Sequence, residues 1–305
     1  MATKQFQCEL SWSASRAKEW ERCQREYWYG RYASWGWWTE RPRGQKYEIM
    51  VHKCLTSLPA HAGDCAHRAI QRWFELKRDG ATMTTNELLE ECVELFRDGW
   101  RQSAGGGWQD QPNKSVHLNE HHYGQEISKE RTEMARQLLE RSTQFFCESA
   151  ELAAARDAHP DTWRSLETMD TYHFLCTKVY AVPDFAYAEG EMIHIYDWKT
   201  GQPREADIFQ LHTYALYACE KWSTDPENIV LHAAYLGAGK VESIPVDLNR
   251  LSEAQDHMST SIREMMDVHY DPEVDDLMMG NWPASPEARK CGGCRFRGIC
   301  TEATK

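Results

Sequence analysis

The sequence predicts an α/β domain: a mixed central sheet flanked by helices, with a helical insertion ahead of the sheet. Amphipathic helical patterns fill the chain before Pro160. After it come runs rich in Tyr, Ile, Val and Thr, punctuated by turn residues. One amphipathic helix separates these strand-like runs into a β-β-α-β-β order, closed by a further helix and a cysteine-bearing tail.

The elements follow from the chain in order. Residues 12–33 read as one helix, capped by Ser13 or Ser15, with Trp20, Cys23 and Tyr27 on neighbouring faces. Residues 34–61, with WGWW and RPRG, read as a loop. A short helix is expected from about Gly63, carrying His67, Ile70 and Phe74. Helical patterns follow at 86–100 and 125–157, with the glycine-rich loop 103–111 between them. Residues 172–182 and 192–198 read as strands joined through the Glu189-Gly190-Glu191 turn. A helix is expected over 206–221. A hairpin over 229–236 and 241–246 turns at Gly237-Ala238-Gly239, and a last helix covers 251–269. The tail from Asp271 is irregular, first acidic and then rich in cysteine.

Of 305 residues, 41% are hydrophobic and 27% charged, an ordinary globular balance that excludes collagen-like and disordered classes. No apolar run approaches a membrane span, so no membrane role is expected. The N-terminus lacks the apolar stretch of a signal peptide, and the expected setting is reducing and cytoplasmic. The net charge of −12 argues against nucleic-acid binding by overall charge alone. Residues 1–50 nevertheless carry nine Lys/Arg against six Asp/Glu, leaving room for one basic face.

The 11 cysteines, odd in number, argue against a disulfide framework. Cys291, Cys294 and Cys300 form a C-x₂-C-x₅-C series, whose close spacing points to metal. Zinc or a [4Fe–4S] cluster would take a fourth cysteine. Cys23, expected on the first helix, and Cys8 are the candidates for it, and spacing does not separate the two metals.

The sharpest chemical signal is Pro183-Asp184 followed by Asp197-Trp198-Lys199. On a strand, Asp197 and Lys199 share a face while Trp198 packs opposite. A hairpin register would set Asp184 beside Asp197. Converging carboxylates repel unless a cation lies between them, and oxygen ligands suit Mg²⁺ or Mn²⁺. An adjoining lysine would orient water and counter developing phosphate charge. Gln210 and Tyr214 lie one turn apart on the next helix. Glu167 is a further acidic candidate, but nothing local fixes it, and it reads rather as an exposed loop carboxylate.

Gly63-x-x-x-His67, Pro183-Asp184, Asp197-x-Lys199-Thr200-Gly201 and Gln210-x-x-x-Tyr214 together resemble the motif series of the PD-(D/E)XK nuclease superfamily, in particular its RecB-like and Cas4-like branch. The resemblance implies a restriction-endonuclease-like core at 161–270. Residues 1–62 would form an N-terminal helix and aromatic loop, 63–160 a helical region, and 271–305 the cysteine tail, all in one composite domain. It implies His67, Asp184 and Asp197 as ligands of Mg²⁺ or Mn²⁺ and Lys199 as the lysine assisting the attacking water. Gln210 and Tyr214 would orient the site or contact the strand. It also implies that Cys23, Cys291, Cys294 and Cys300 hold a structural [4Fe–4S] cluster pinning the two chain ends.

The activity implied is metal-dependent deoxyribonuclease, an exonuclease on single strands or duplex ends. The implied settings are recombination, repair, phage replication or CRISPR adaptation in a bacterial, archaeal or phage-infected cell, with proteins of those processes as partners. The alternative is a silent DNA-binding or assembly subunit of the same fold. For the nucleic acid, a surface is expected from Arg16, Lys18, Arg22, Arg25, Arg31, Arg289, Lys290, Arg295 and Arg297. Trp28, Tyr29, Tyr32 and Phe296 would stack between them, with Trp20 and Tyr27 expected to be buried in a core stripe of the same helix, and Trp35, Trp37 and Trp38 offer a further stacking element.

Overall fold

The computed structural model describes residues 8–39, 44–272 and 279–304. Residues 40–43 of the expected aromatic loop and 273–278 of the acidic tail lie outside the described residues.

The N-terminal region is more broken than its periodicity suggests. A short strand β1 (Ser11–Trp12) leads to α1 (Ala14–Arg22), capped by Ser13, whose hydroxyl accepts the Arg16 N–H. The expected helix over 12–33 then stops at Cys23, an extended residue with φ −168° and ψ 112°. It resumes as α2 (Gln24–Trp28) and a π turn (Tyr29–Ala33). The break has a cause in the tail. Arg25 N donates to Pro283 O at 3.2 Å, a partner outside the helix ladder.

The expected loop at 34–61 instead contains α3 (Gln45–Lys53), strand β2 (Leu55–Thr56) and the start of α4 (Leu58–Arg78). Gly63 therefore lies inside a helix of 21 residues, set by the Ser57 cap and the proline in its first turn. Helix α5 (Thr85–Ala104) begins with a Thr84–Glu87 capping box. Strand β3 (His117–Leu118) pairs parallel with β2 and runs into α6 (Asn119–His122). Helix α7 (Lys129–Glu148) ends at Ser149 before the short α8 (Ala153–Asp157), so the continuous 125–157 helix is corrected. The Arg156 guanidinium takes the carbonyls of Phe146 and Ser149 at 2.6 and 2.9 Å, satisfying the freed helix end.

Strands β4 (Trp163–Leu166), β5 (Asp170–Phe174), β6 (Thr177–Ala181), β7 (Phe185–Glu189) and β8 (Met192–Lys199) follow. The single strand expected at 172–182 is thus the β5–β6 hairpin. Its turn residues Leu175 and Cys176 both have positive φ without being Gly or Asn, which hid it. The strand meeting β8 across Gly190 is β7. Helix α9 (Glu205–Trp222), the hairpin β9 (Ile229–Tyr235) and β10 (Lys240–Pro245), and α10 (Leu248–Asp267) lie close to expectation. The tail adds α11 (Ala288–Gly293). No helix among the described residues is long and apolar enough to cross a membrane.

The central sheet runs β10-β9-β8-β7-β4, with β8 and β9 parallel and the other neighbours antiparallel. A smaller sheet, β1-β6-β5, packs nearby. One core layer gathers Ile193 and Ile195 with α9, α10 and the N-terminal aromatics. The other gathers Tyr196 and Trp198 with α4, α5 and α7. Trp282 from the tail is fully buried and meets Trp20, Tyr27 and Tyr32 at ring distances of 5.7, 6.0 and 4.8 Å.

Gly237 fixes where the end of β8 sits. A Cβ there would overlap the Thr200 carbonyl oxygen and crowd Leu138. Gly237→Ala is expected to lower stability by about 1–3 kcal/mol, the usual range for overpacking. Urea unfolding measures it, and an unchanged midpoint refutes the close approach.

Candidate active site

The site grows from the register of two strands. Phe185 pairs with Tyr196 in the β7–β8 ladder, so Asp184, just before β7, arrives beside Asp197. Asp184 Oδ2 accepts the Trp198 N–H at 2.5 Å. The alternation of β8 buries Tyr196 and Trp198 against the α4–α7 layer and turns Asp197 and Lys199 toward α9. Lys199 Nζ lies 2.6 Å from Asp197 Oδ2 and donates to Gln210 Oε1 at 3.2 Å. Gln210 Nε2 donates to Asp197 Oδ1 at 3.2 Å and to the Tyr214 hydroxyl at 2.6 Å. Asp197, Lys199, Gln210 and Tyr214 thus form one hydrogen-bonded set.

Helix α4 brings His67 to the other side of Asp184. His67 Nδ1 is 3.4 Å from Asp184 Oδ1 and 3.5 Å from Glu167 Oε1. Glu167 is not the exposed loop residue expected from sequence. It follows β4, whose Leu166 pairs with Phe185, and its N–H donates to the Asp184 carbonyl at 3.1 Å. Its φ of +48° is left-handed, a conformation costing a non-glycine residue about 1–2 kcal/mol. The signal that would have found it was the short W-R-S-L strand immediately upstream.

One ligand atom each from His67, Glu167 and Asp184 lie within 4.8 Å of one another. Asp197 stands outside this trio and is engaged by Lys199 and Gln210. Glu167 Oε1 is buried without a hydrogen bond. An imidazole nitrogen, adjacent carboxylates and an orphaned buried oxygen fit a divalent cation with hard-ligand preference.

Electrostatics agree. Burial raises the Asp197 pKa to about 7, with Asp184 adding and Lys199 opposing. Burial also raises Glu167, reinforced by Asp184 and opposed by His67. For His67, burial disfavours the imidazolium, but Asp184 and Glu167 prevail and hold it well above the usual value. Burial likewise disfavours the Lys199 ammonium, and Asp197 and Asp184 overcome it. The site opens on a cleft of about 700 Å³ lined by Gly63, His67, Arg68, Glu167, Lys199 and Arg204.

A second cavity holds the other sequence-marked group. Cys23, Cys291, Cys294 and Cys300 all line it, with Tyr29 and Phe296. Cys23 sits at the break between α1 and α2, not within a helix, and its sulfur accepts the Ser285 N–H at 3.4 Å. Cys8 lines a different pocket beside Arg16 and Lys53. Among the described residues the four thiols do not form a converged ligand group of the kind that His67, Glu167 and Asp184 make. Burial pushes Cys294 up to about 12 and raises Cys300, whereas hydrogen bonds from Thr304 lower Cys291.

The expected stacking surface is corrected. Trp20 and Tyr27 are buried as expected, and Trp28, Tyr29, Tyr32 and Phe296 are buried core residues too, with no face for a base. Arg22 pairs with Glu26, Arg25 with Glu302, and Arg31 and Arg295 with Glu19. Arg297 covers the Tyr123 ring at 4.0 Å, and Lys290 meets Glu287 at 2.6 Å. Lys18 and Arg289 are exposed, and Trp38 is 42% exposed beside Trp35 and Trp37.

A family model described as the PD-(D/E)XK nuclease superfamily matches residues 11–301. No curated protein gives a significant match.

Proposed function

The chain belongs to the PD-(D/E)XK nuclease superfamily, and from that premise we propose that it is a divalent-metal-dependent deoxyribonuclease acting on single strands or duplex ends. The observation that carries this reading is the meeting of the His67–Glu167–Asp184 donors with the Asp197–Lys199–Gln210 set at the end of β8. A divalent cation held by His67, Glu167 and Asp184, with Asp197 alongside, supplies Lewis-acid polarisation of the scissile phosphate and a lower pKa for water.

The chain's own groups do the rest. Asp197 and Gln210 fix the Lys199 ammonium, which orients the attacking water and offsets charge developing on the phosphate oxygens. Tyr214 restrains Gln210 and so acts through it. The buried Trp198 on the opposite face keeps Asp197 and Lys199 in register.

The four cysteines on one cavity support a structural iron–sulfur cluster of the Cas4-like type. A tetrahedral zinc at 2.3 Å would bring its sulfurs to about 3.8 Å of one another. Either metal fits four cysteines on one cavity, and the iron–sulfur reading rests on the C-x₂-C-x₅-C tail with a distant Cys23.

End-labelled single- and double-stranded oligonucleotides, titrated with Mg²⁺ and Mn²⁺, test the activity. Shortening from an end is expected, and intact substrate at every metal concentration rejects the reading. Metal occupancy has its own readout. Mn²⁺ at a hundred times its Kd should stabilise the fold by about 2.7 kcal/mol, and Asp184→Asn should lose that gain. Equal stabilisation of both proteins, followed by calorimetry, would place the ion elsewhere.

A further inference from the structure

A pocket of about 230 Å³ lies between the N-terminal segment, α1, the π turn, α3 and β6, and it shares no lining residue with the catalytic cleft. Three cationic side chains line it: Arg16, Arg31 and Lys53. We propose that this pocket is an anion site that takes a phosphate group.

The charges around it are unbalanced. Among the described residues, Lys53 Nζ makes no hydrogen bond or ion pair. Arg31 gives one amino group to Glu19 at 3.0 Å and leaves its buried Nε without an acceptor. Arg16 gives one amino group to the Ser11 carbonyl at 2.9 Å and to the Ser11 hydroxyl, and lies against the Tyr180 ring, 5.0 Å from its guanidinium carbon, with no acid paired to it among the described residues. The acids nearby are already engaged: Glu9 by Lys178, and Glu19 by Arg31 and Arg295.

Bringing like charges together in a half-enclosed space is unfavourable unless an anion joins them. Burial, then Arg31, lowers the Lys53 pKa to about 8, with Arg295 and Arg16 contributing and Cys54 opposing. Lys53 still carries its proton at neutral pH. Burial and Arg31 also lower Arg16. Trp35 and Tyr180 form part of the wall, giving flat apolar surface beside the charges. A guanidinium fork and an ammonium around one space match a phosphate in charge and donor geometry. The phosphate comes either from a nucleic-acid strand or from a free phosphate compound.

Calorimetry on the full chain in EDTA, with inorganic phosphate and a short deoxyoligonucleotide as probes, tests the site. Lys53→Met should weaken phosphate binding about tenfold, the loss expected for one charge-assisted contact. Its melting temperature should stay equal or rise, because a repulsion is removed. Arg16→Gln should weaken phosphate similarly and serves as the second variant. A parallel loss of oligonucleotide affinity, with the salt slope shallower by about one, assigns the phosphate to a strand. An unchanged oligonucleotide affinity assigns it to a free compound. The inference is overturned if folded Lys53→Met and Arg16→Gln bind phosphate as the parent does, or if the parent binds none at millimolar concentration.

Discussion

Lys199→Ala is expected to lower the maximal cleavage rate by about 10²–10³-fold, the effect of removing one preorganised charge-stabilising donor. Lys199 lies outside the His67–Glu167–Asp184 trio, so the stabilisation by Mn²⁺ should survive. The ammonium is placed by two contacts, Asp197 at 2.6 Å and Gln210 at 3.2 Å, and removing it leaves a buried carboxylate with Gln210 as its remaining partner. Arginine should not rescue, because its planar fork cannot replace a compact ammonium in that space. Gln210→Ala keeps the charge but frees its position, and a smaller loss of roughly tenfold is expected. Single-turnover rates on an end-labelled strand check both. A folded Lys199→Ala protein cleaving at the parent rate would remove Lys199 from the chemistry.

Cys23→Ser is expected to strip iron from the purified protein, abolish its visible absorption and lower the melting temperature by about 10 °C or more. The size follows from topology. Cys23 closes the α1–α2 break, and Cys291, Cys294 and Cys300 approach it from the far end of the chain. A link across so long a loop removes much of the freedom of the unfolded chain. Cys8→Ser should keep both iron and stability, since Cys8 lines the Lys53 pocket. Iron analysis beside thermal denaturation separates the cases. Parent-like iron in Cys23→Ser would exclude it as the fourth ligand, and a colourless, zinc-loaded parent would change the metal but not the ligand set.

Local periodicity carried much of the site. Asp197 and Lys199 share a face because strands repeat every two residues, and Gln210 meets Tyr214 because helices bring i and i+4 together. The hairpin at 229–246 and helices α5, α9 and α10 were readable for the same reason. Glu167 was not, because a four-residue strand and a left-handed backbone place it, and neither leaves a periodic trace. The break at Cys23 was hidden because its hydrogen-bond partners, Pro283 and Ser285, come from the other end of the chain. The burial of Trp20 and Tyr27 is legible in the stripe of the first helix, but that of Tyr32 is not, because Trp282 from the tail completes its packing. Sequence gives the type of such residues, and only tertiary packing decides which surface they cover.

The insertion of Trp282 among Trp20, Tyr27 and Tyr32 constrains the timing of synthesis. Translation releases these three rings long before the indole that completes their packing leaves the ribosome. The nascent chain therefore carries an unfinished apolar patch until Trp282 emerges, which makes this stretch a natural client for chaperones. Any truncation before Trp282 would leave that patch permanently unsealed.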